Sequence, residues 1–284
     1  MPPPDHIFSG VLAASGSIKP APVEALWFPS PPPQHTAELE KQKTVLHFPG
    51  GAFVIAYEPN GTGSSVAQTM AKSMKATRTV WAQPRLADSP ETRFPAAVQD
   101  ALTFYHYIVS LGVDPKNIIL SGDSSGANVV LALVRYLESA QTQLPLPGGA
   151  IAFSPWVDIT ANAGRDFEQC KNSHFGFPTS SILQWGAEAY RPEERLPAET
   201  EAYVSPLHYP FETSIPLFIH AGAVEGFHDC IQSFADEMTE MNGDGVRFHD
   251  TAMAPHDLVI VHGLFGMTQE LDAVVQEACD FFGQ

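Results

Sequence analysis

From Thr44 onward, short apolar or β-branched runs alternate with stretches whose apolar residues recur every third or fourth position. Runs of the first kind suit strands buried on both faces, and stretches of the second suit amphipathic helices. The runs read as strands are 45–48, 79–82, 117–121, 150–153, 217–220 and 246–249. Helical stripes are formed by Val66, Met70 and Met74, by Ala97, Ala101, Phe104, Tyr105 and Ile108, by Ala127, Val130, Leu131, Val134 and Leu137, and by Leu271, Val274, Val275, Ala278 and Phe282. Strands alternating with helices predict an α/β fold: a mostly parallel central sheet with helices on both faces. Upstream, residues 1–40 are rich in proline, with Pro2-Pro3-Pro4 and Pro31-Pro32-Pro33, and hold room for one short strand at 23–28.

One connection breaks the rhythm. The 61 residues between Ser154 and Pro216 far exceed the dozen or so that a crossover needs, and they carry Trp156, Phe167, Phe175, Phe177, Trp185, Tyr190, Tyr203, Tyr209 and Phe211. An aromatic insertion, 155–215, at the carboxyl end of a sheet predicts a lid over an apolar pocket, although an aromatic packing satellite has the same composition. The chain is read as one domain, 1–284, with this insertion and with residues 1–40 contributing to the lid.

The chemistry starts at Gly122-Asp123-Ser124-Ser125-Gly126, directly behind an apolar run and ahead of a helical stripe. Glycines on either side of a serine let a strand turn sharply into a helix and expose the hydroxyl, which makes Ser124 the candidate nucleophile. A serine needs an imidazole to take its proton, and the imidazole needs a carboxylate to hold it. Glu225, behind the strand at 217–220, and His256, behind the strand at 246–249, stand in the required order and positions. Asp229 is the rival acid. Asp158 is a weaker one and suits a capping role better. His220, His228, His249 and His262 are the rival bases, two of them inside strands. For the oxyanion, Gly50 and Gly51 follow the strand at 45–48, and the N–H of Ser125 supplies a further donor. A glycine turn that merely reverses the chain is the plainer use of such a pair.

Composition narrows the class. A net charge of −17 sets up a field that repels nucleic acid and anionic membranes and suits a neutral or cationic small molecule, and it also serves solubility. Cys170, Cys230 and Cys279 are odd in number and widely spaced, without metal-ligand spacing, so no disulfide framework or metal site is expected. No apolar run approaches the ~20 residues of a membrane span, and Met1 to Gly10 lacks the pattern of a secretory leader. A cytoplasmic location is the resulting expectation.

Together, Phe48-Pro49-Gly50-Gly51-Ala52-Phe53, Arg85-Leu86-Ala87, Phe94-Pro95-Ala96-Ala97 with Asp100, Gly122-Asp123-Ser124-Ser125-Gly126, Ser154-Pro155-Trp156-Val157-Asp158 and His256 resemble the hormone-sensitive-lipase-like family of α/β-hydrolase esterases. The resemblance implies an α/β-hydrolase fold and a serine esterase without metal or cofactor. It also implies a lid built from the amino terminus and the insertion, and small esters with short acyl chains as substrates. It places the family nucleophile on Ser124, the histidine on His256, the acid on Glu225 and the oxyanion glycines on Gly50 and Gly51. Two departures stand out: Pro49 replaces a histidine that orders the oxyanion loop in the family, and the amino-terminal region is short. Phe53, Trp156, Phe175 and Phe177 are the candidates for the pocket wall, and they suit a core equally. The same fold also serves non-catalytic receptors for small molecules and biosynthetic enzymes that release, cyclise or eliminate a metabolite, so both readings stay open. So does a homodimer formed through a sheet edge or the last helix.

Overall fold

Every expected strand forms, and the sheet that they build is described by a computed structural model covering residues 7–32, 39–139, 142–175 and 177–283. The strands are β1 (Ala25–Phe28), β2 (Thr44–Phe48), β3 (Arg78–Ala82), β4 (Ile118–Asp123), β5 (Gly149–Phe153), β6 (Leu217–Gly222) and β7 (Val246–Thr251). They lie side by side in the order β1-β3-β2-β4-β5-β6-β7, all parallel except β1, which pairs antiparallel with β3 at the edge. Successive side chains of a strand enter opposite faces. Leu46, Phe48, Leu120 and Ala152 join the core on one side, while Val45, Ile119, Ile151 and Phe153 join the core on the other.

The helical stripes bury as their spacing requires. α2 (Ala96–Ser110) and α3 (Ser124–Glu138) pack on the first face, and α1 (Ser64–Ser73) and α9 (Thr268–Phe281) pack on the second. Each large aliphatic or aromatic side chain removed from water in these layers contributes about 1.5–3 kcal/mol. Two helices stand where the sequence reading leaves no element: α7 (His228–Asn242) and α8 (Leu258–Phe265). α7 is mostly polar, and only Ile231, Phe234, Ala235 and Met238 are buried, a stripe confined to its middle two turns.

The long connection between β5 and β6 carries α4 (Ala163–Glu168), α5 (Ser180–Tyr190) and α6 (Ala198–Val204). It is anchored to the body through Asn128, whose Nδ2 donates to the carbonyls of Trp156 (2.9 Å) and Val204 (3.0 Å). α5 presses on the loop after β2 so closely that a Cβ on Gly186 would lie 2.3 Å from the Ala52 carbonyl oxygen.

The proline-rich amino-terminal segment runs elsewhere. Tyr136 Oη donates to the Ile7 carbonyl (2.8 Å), and Gln99 Nε2 donates to that of Leu12 (3.0 Å). Ile7, Phe8 and Leu12 are thereby buried against α2 and α3, and residues 25–28 extend the sheet edge. The described part of this segment, expected to contribute to the lid, lays Ile7, Phe8 and Leu12 along the helices and meets Arg85 through the Lys19 carbonyl at 3.0 Å. Residues 1–6 and 33–38, which include Pro2-Pro3-Pro4 and Pro33, lie outside the described residues.

Candidate active site

The carboxyl ends of β2, β4, β6 and β7 converge. β4 turns directly into α3 with Ser124 at the corner, in the left-handed region at φ 51°. The turn is this tight because Gly126 has no side chain: a Cβ there would lie 2.0 Å from the Phe48 carbonyl oxygen. Eight described non-glycine residues have positive φ, and Ala52, Phe53, Ser124, Ser154 and Asp257, all around this corner, are five of them. Such backbone costs of order 1–3 kcal/mol per residue and persists only where packing enforces it.

Ser124 Oγ lies 3.0 Å from His256 Nε2, and His256 Nδ1 lies 2.5 Å from Glu225 Oε2. The ring and the carboxylate are buried, and the serine keeps 6% of its surface exposed. With the proton on Nδ1, the imidazole donates to Glu225 and accepts from the Ser124 hydroxyl. The other oxygen of Glu225 accepts from Ser154 Oγ (2.9 Å) and from the Gly222 N–H (2.7 Å), so the carboxylate cannot rotate away. Burial pulls the His256 imidazole toward the neutral form, but the Asp257 and Glu225 carboxylates outweigh it and hold its pKa up at about 9.

The rivals are placed elsewhere. Asp229 is exposed on α7 and pairs with His228 (3.2 Å). Asp158 accepts from Trp156 Nε1 through its carbonyl, and burial raises the pKa of its side chain. His220 is sealed within β6 against Thr251 (2.9 Å), where burial, and then His249, pull its pKa down to about 3. His249 pairs with Glu277 (2.7 Å), and His262 bonds Ser65 and Thr268.

The oxyanion donors need one correction. The Gly50 N–H is committed to Asp123 Oδ2 at 3.0 Å, and a Cβ on Gly50 would lie 2.6 Å from that oxygen. Among the described residues no acceptor takes the N–H of Gly51, Ala52 or Ser125. The loop holding Gly51 and Ala52 is tied to the corner by the Phe53 N–H, which donates to Ser125 Oγ at 3.2 Å, and Ser125 adds the positive end of α3. Gly51 has φ 106°, which glycine adopts freely, while Ala52 next to it carries φ 52°. Sequence reasoning missed Ala52 because the role of Gly50 depends on Asp123, which only the fold brings beneath the loop. Asp123 also accounts for the absent loop histidine. Its Oδ1 lies 3.0 Å from Nε2 of His47, a buried ring that stacks on Trp81 and reaches Ser121 with Nδ1. A strand histidine two residues before Pro49 thus orders the loop through the carboxylate.

Of the wall candidates, Phe177 stands edge-on to His256 with ring centroids 5.7 Å apart. Phe227, a residue the sequence reading passes over, does the same from the other side of the site at 5.2 Å, and stacks on Trp156. Trp156 and Phe53 are buried, and Phe53 lies flat on Tyr190 at 3.6 Å, so both brace the wall from behind. Phe175 lies in the turn between α4 and α5, is 61% exposed and makes none of the ring contacts around His256 among the described residues. The thiols of Cys170 and Cys230, sixty residues apart in sequence, are close enough to shift each other's ionisation, Cys170 Sγ donates to the Asp166 carbonyl at 3.5 Å, and both cysteines are free. Among the described residues no cluster of His, Cys, Asp and Glu could hold a metal ion, and no helix is long and apolar enough to cross a membrane.

Known proteins share this fold and part of this sequence. The chain is 30% identical over 190 residues to an acetyl-hydrolase of Streptomyces hygroscopicus, covering 66% of this chain and 58% of that protein. It is 27% identical over 201 residues to an esterase of Acinetobacter venetianus, covering 71% and 63%. It therefore spans about three fifths of the length of these relatives. In structure it superposes on an esterase/lipase from an uncultured bacterium with a TM-score of 0.69 at 24% identity, covering 87% of this chain and 80% of that one. An esterase of the bacterial hormone-sensitive lipase family gives 0.67 at 23%, covering 84% and 77%, a likeness of fold. A family model for the alpha/beta hydrolase fold matches residues 45–260, a span that takes in Ser124, Glu225 and His256, and the chain belongs to that family.

Proposed function

We propose that the protein is a serine hydrolase that cleaves a carboxylic ester of a small, largely apolar molecule through an acyl-enzyme on Ser124. The observation that carries this reading is the continuous relay from Ser124 Oγ through His256 to Glu225, at 3.0 and 2.5 Å, beside unpaired backbone N–H groups. His256 Nε2 takes the hydroxyl proton as Ser124 Oγ attacks the ester carbonyl carbon. The oxygen of the tetrahedral intermediate is met by the N–H groups of Gly51, Ala52 and Ser125, with charge developing where donors already point. The imidazolium then gives its proton to the departing alcohol, and water repeats the sequence on the acyl-enzyme to release the acid. Glu225 keeps the ring in the productive tautomer and stabilises its charged form throughout.

The lining of Phe177 and Phe227 suits a small apolar acyl group. Relatives named for acetyl hydrolysis are consistent with a short one. The test is hydrolysis of p-nitrophenyl acetate, butyrate and octanoate, with labelling by a fluorophosphonate. The short esters turn over, the label maps to Ser124, and Ser124→Ala lowers kcat about a millionfold. Retention of a tenth of the activity in that variant would refute the assignment.

A further inference from the structure

Beside the relay lies a carboxyl group that it does not use. Asp257 Oδ2 stands 3.4 Å from His256 Nε2, the same nitrogen that faces Ser124 Oγ at 3.0 Å. The Asp257 side chain is 2% exposed, and its Oδ1 has no hydrogen-bond partner among the described residues. An aspartate at the start of a helix ordinarily caps it, but Asp257 precedes α8 without any side-chain cap bond. Its backbone is held instead: φ is 57°, and its N–H donates to Ser154 Oγ at 3.2 Å. The left-handed turn thus braces Ser154 through the backbone and leaves the carboxyl group facing the base.

We propose that Asp257 is a positioning residue of the general base: its carboxyl group shares a proton with His256 Nε2 in the resting site, so Ser124 gains its base only when that proton leaves. The inference rests on the esterase reading. A buried carboxyl group whose Oδ1 lacks a donor is poorly supported as an anion, and a cation in contact with it favours its ionisation. His256 is the group within reach that can become one. The other titratable groups facing the pair are Glu225 from the loop after β6, Asp123 at the end of β4 and the Tyr57 phenol from the loop before α1. None of these is a cation. Burial pushes the Asp257 carboxyl group well above the usual carboxylate range, against the pull of His256.

The pair therefore holds one proton that an isolated imidazole would have lost, whether it is written as imidazolium with carboxylate or as imidazole with carboxylic acid. Either form denies the Nε2 lone pair to Ser124. The sign follows: stabilising the protonated pair raises the pH at which the base becomes free, so catalysis switches on at alkaline pH, and removing the carboxyl group lowers that pH.

The test compares wild type with Asp257→Asn and Asp257→Gly, both tolerant of positive φ, by the pH profile of kcat/KM on p-nitrophenyl acetate corrected for spontaneous hydrolysis. Folding is checked by circular dichroism, and the His256 ring is titrated by nitrogen-15 NMR. The acidic limb is expected to move down by at least about one pH unit in both variants, raising kcat/KM at neutral pH about tenfold, with the NMR midpoint moving alongside. Superimposable limbs and midpoints in folded variants overturn the proposal, as does an upward shift. If wild type cleaves no ester at any pH while the NMR midpoint still falls in the variants, the esterase reading fails and the proton-sharing pair stands.

Discussion

At the level of single residues, the site is three carboxyl groups around one imidazole, each with a different task. Glu225 is fixed through Ser154 and Gly222 and faces Nδ1, Asp123 faces away to His47 and the Gly50 N–H, and Asp257 faces Nε2. Glu225→Gln removes the charge while keeping the shape, and is expected to lower kcat about ten-thousandfold. Asp229→Asn, on the surface of α7, should change kcat less than about twofold in the same steady-state assay. If the two outcomes are exchanged, the acid is misassigned. Asp123→Asn leaves the Gly50 N–H and His47 facing an amide where a carboxylate accepted both. It is expected to lower stability by about 1.5–3 kcal/mol, read from the urea midpoint. The serine corner and the chain order of Ser124, Glu225 and His256, which the structure brings together, were legible in the sequence because each is a local pattern behind its own strand. The free amides were legible only in part, since the Gly50 N–H is taken by Asp123, seventy-three residues away.

Among elements, the tightest constraint is where backbone meets backbone. α3 crosses β2 at Gly126 within reach of the Phe48 carbonyl, and α5 meets the loop after β2 at Gly186. Gly126→Ala forces α3 off the sheet at the nucleophile corner. A loss of about 1–3 kcal/mol is expected from thermal unfolding, with kcat falling as well because Ser124 shifts. Gly186→Val strains the contact with Ala52 instead. Activity should then drop by more than the loss of stability accounts for, when kcat and the unfolding midpoint are compared. Strands were easy to place because apolar runs buried on both faces carry a continuous signal. The helices α7 and α8 were not, as a thin stripe on a polar helix and a short apolar run both look like loop until the packing is known.

Across the whole molecule, the charge of −17 sets up a negative field that draws cations toward the surface. A cationic ester is expected to show a higher kcat/KM than its neutral isostere at low ionic strength, and the advantage should shrink as salt is added. A choline ester set against its 3,3-dimethylbutyl analogue, from about 10 to about 500 mM salt, measures this; no salt dependence would mean that the net field does not reach the site. The amino-terminal segment belongs to this scale too. Its prolines and apolar residues suggested a cover for the pocket, and Ile7, Phe8 and Leu12 are buried along α2 and α3. The sequence alone determined the parallel sheet, the nucleophile corner and the family, because hydrophobic period, glycine placement and motif order are local properties of the chain. Tertiary structure decided which amides remain unpaired, which aromatic rings meet His256 and that Asp257 faces its Nε2. Those depend on distances between segments far apart in sequence, which no periodicity encodes.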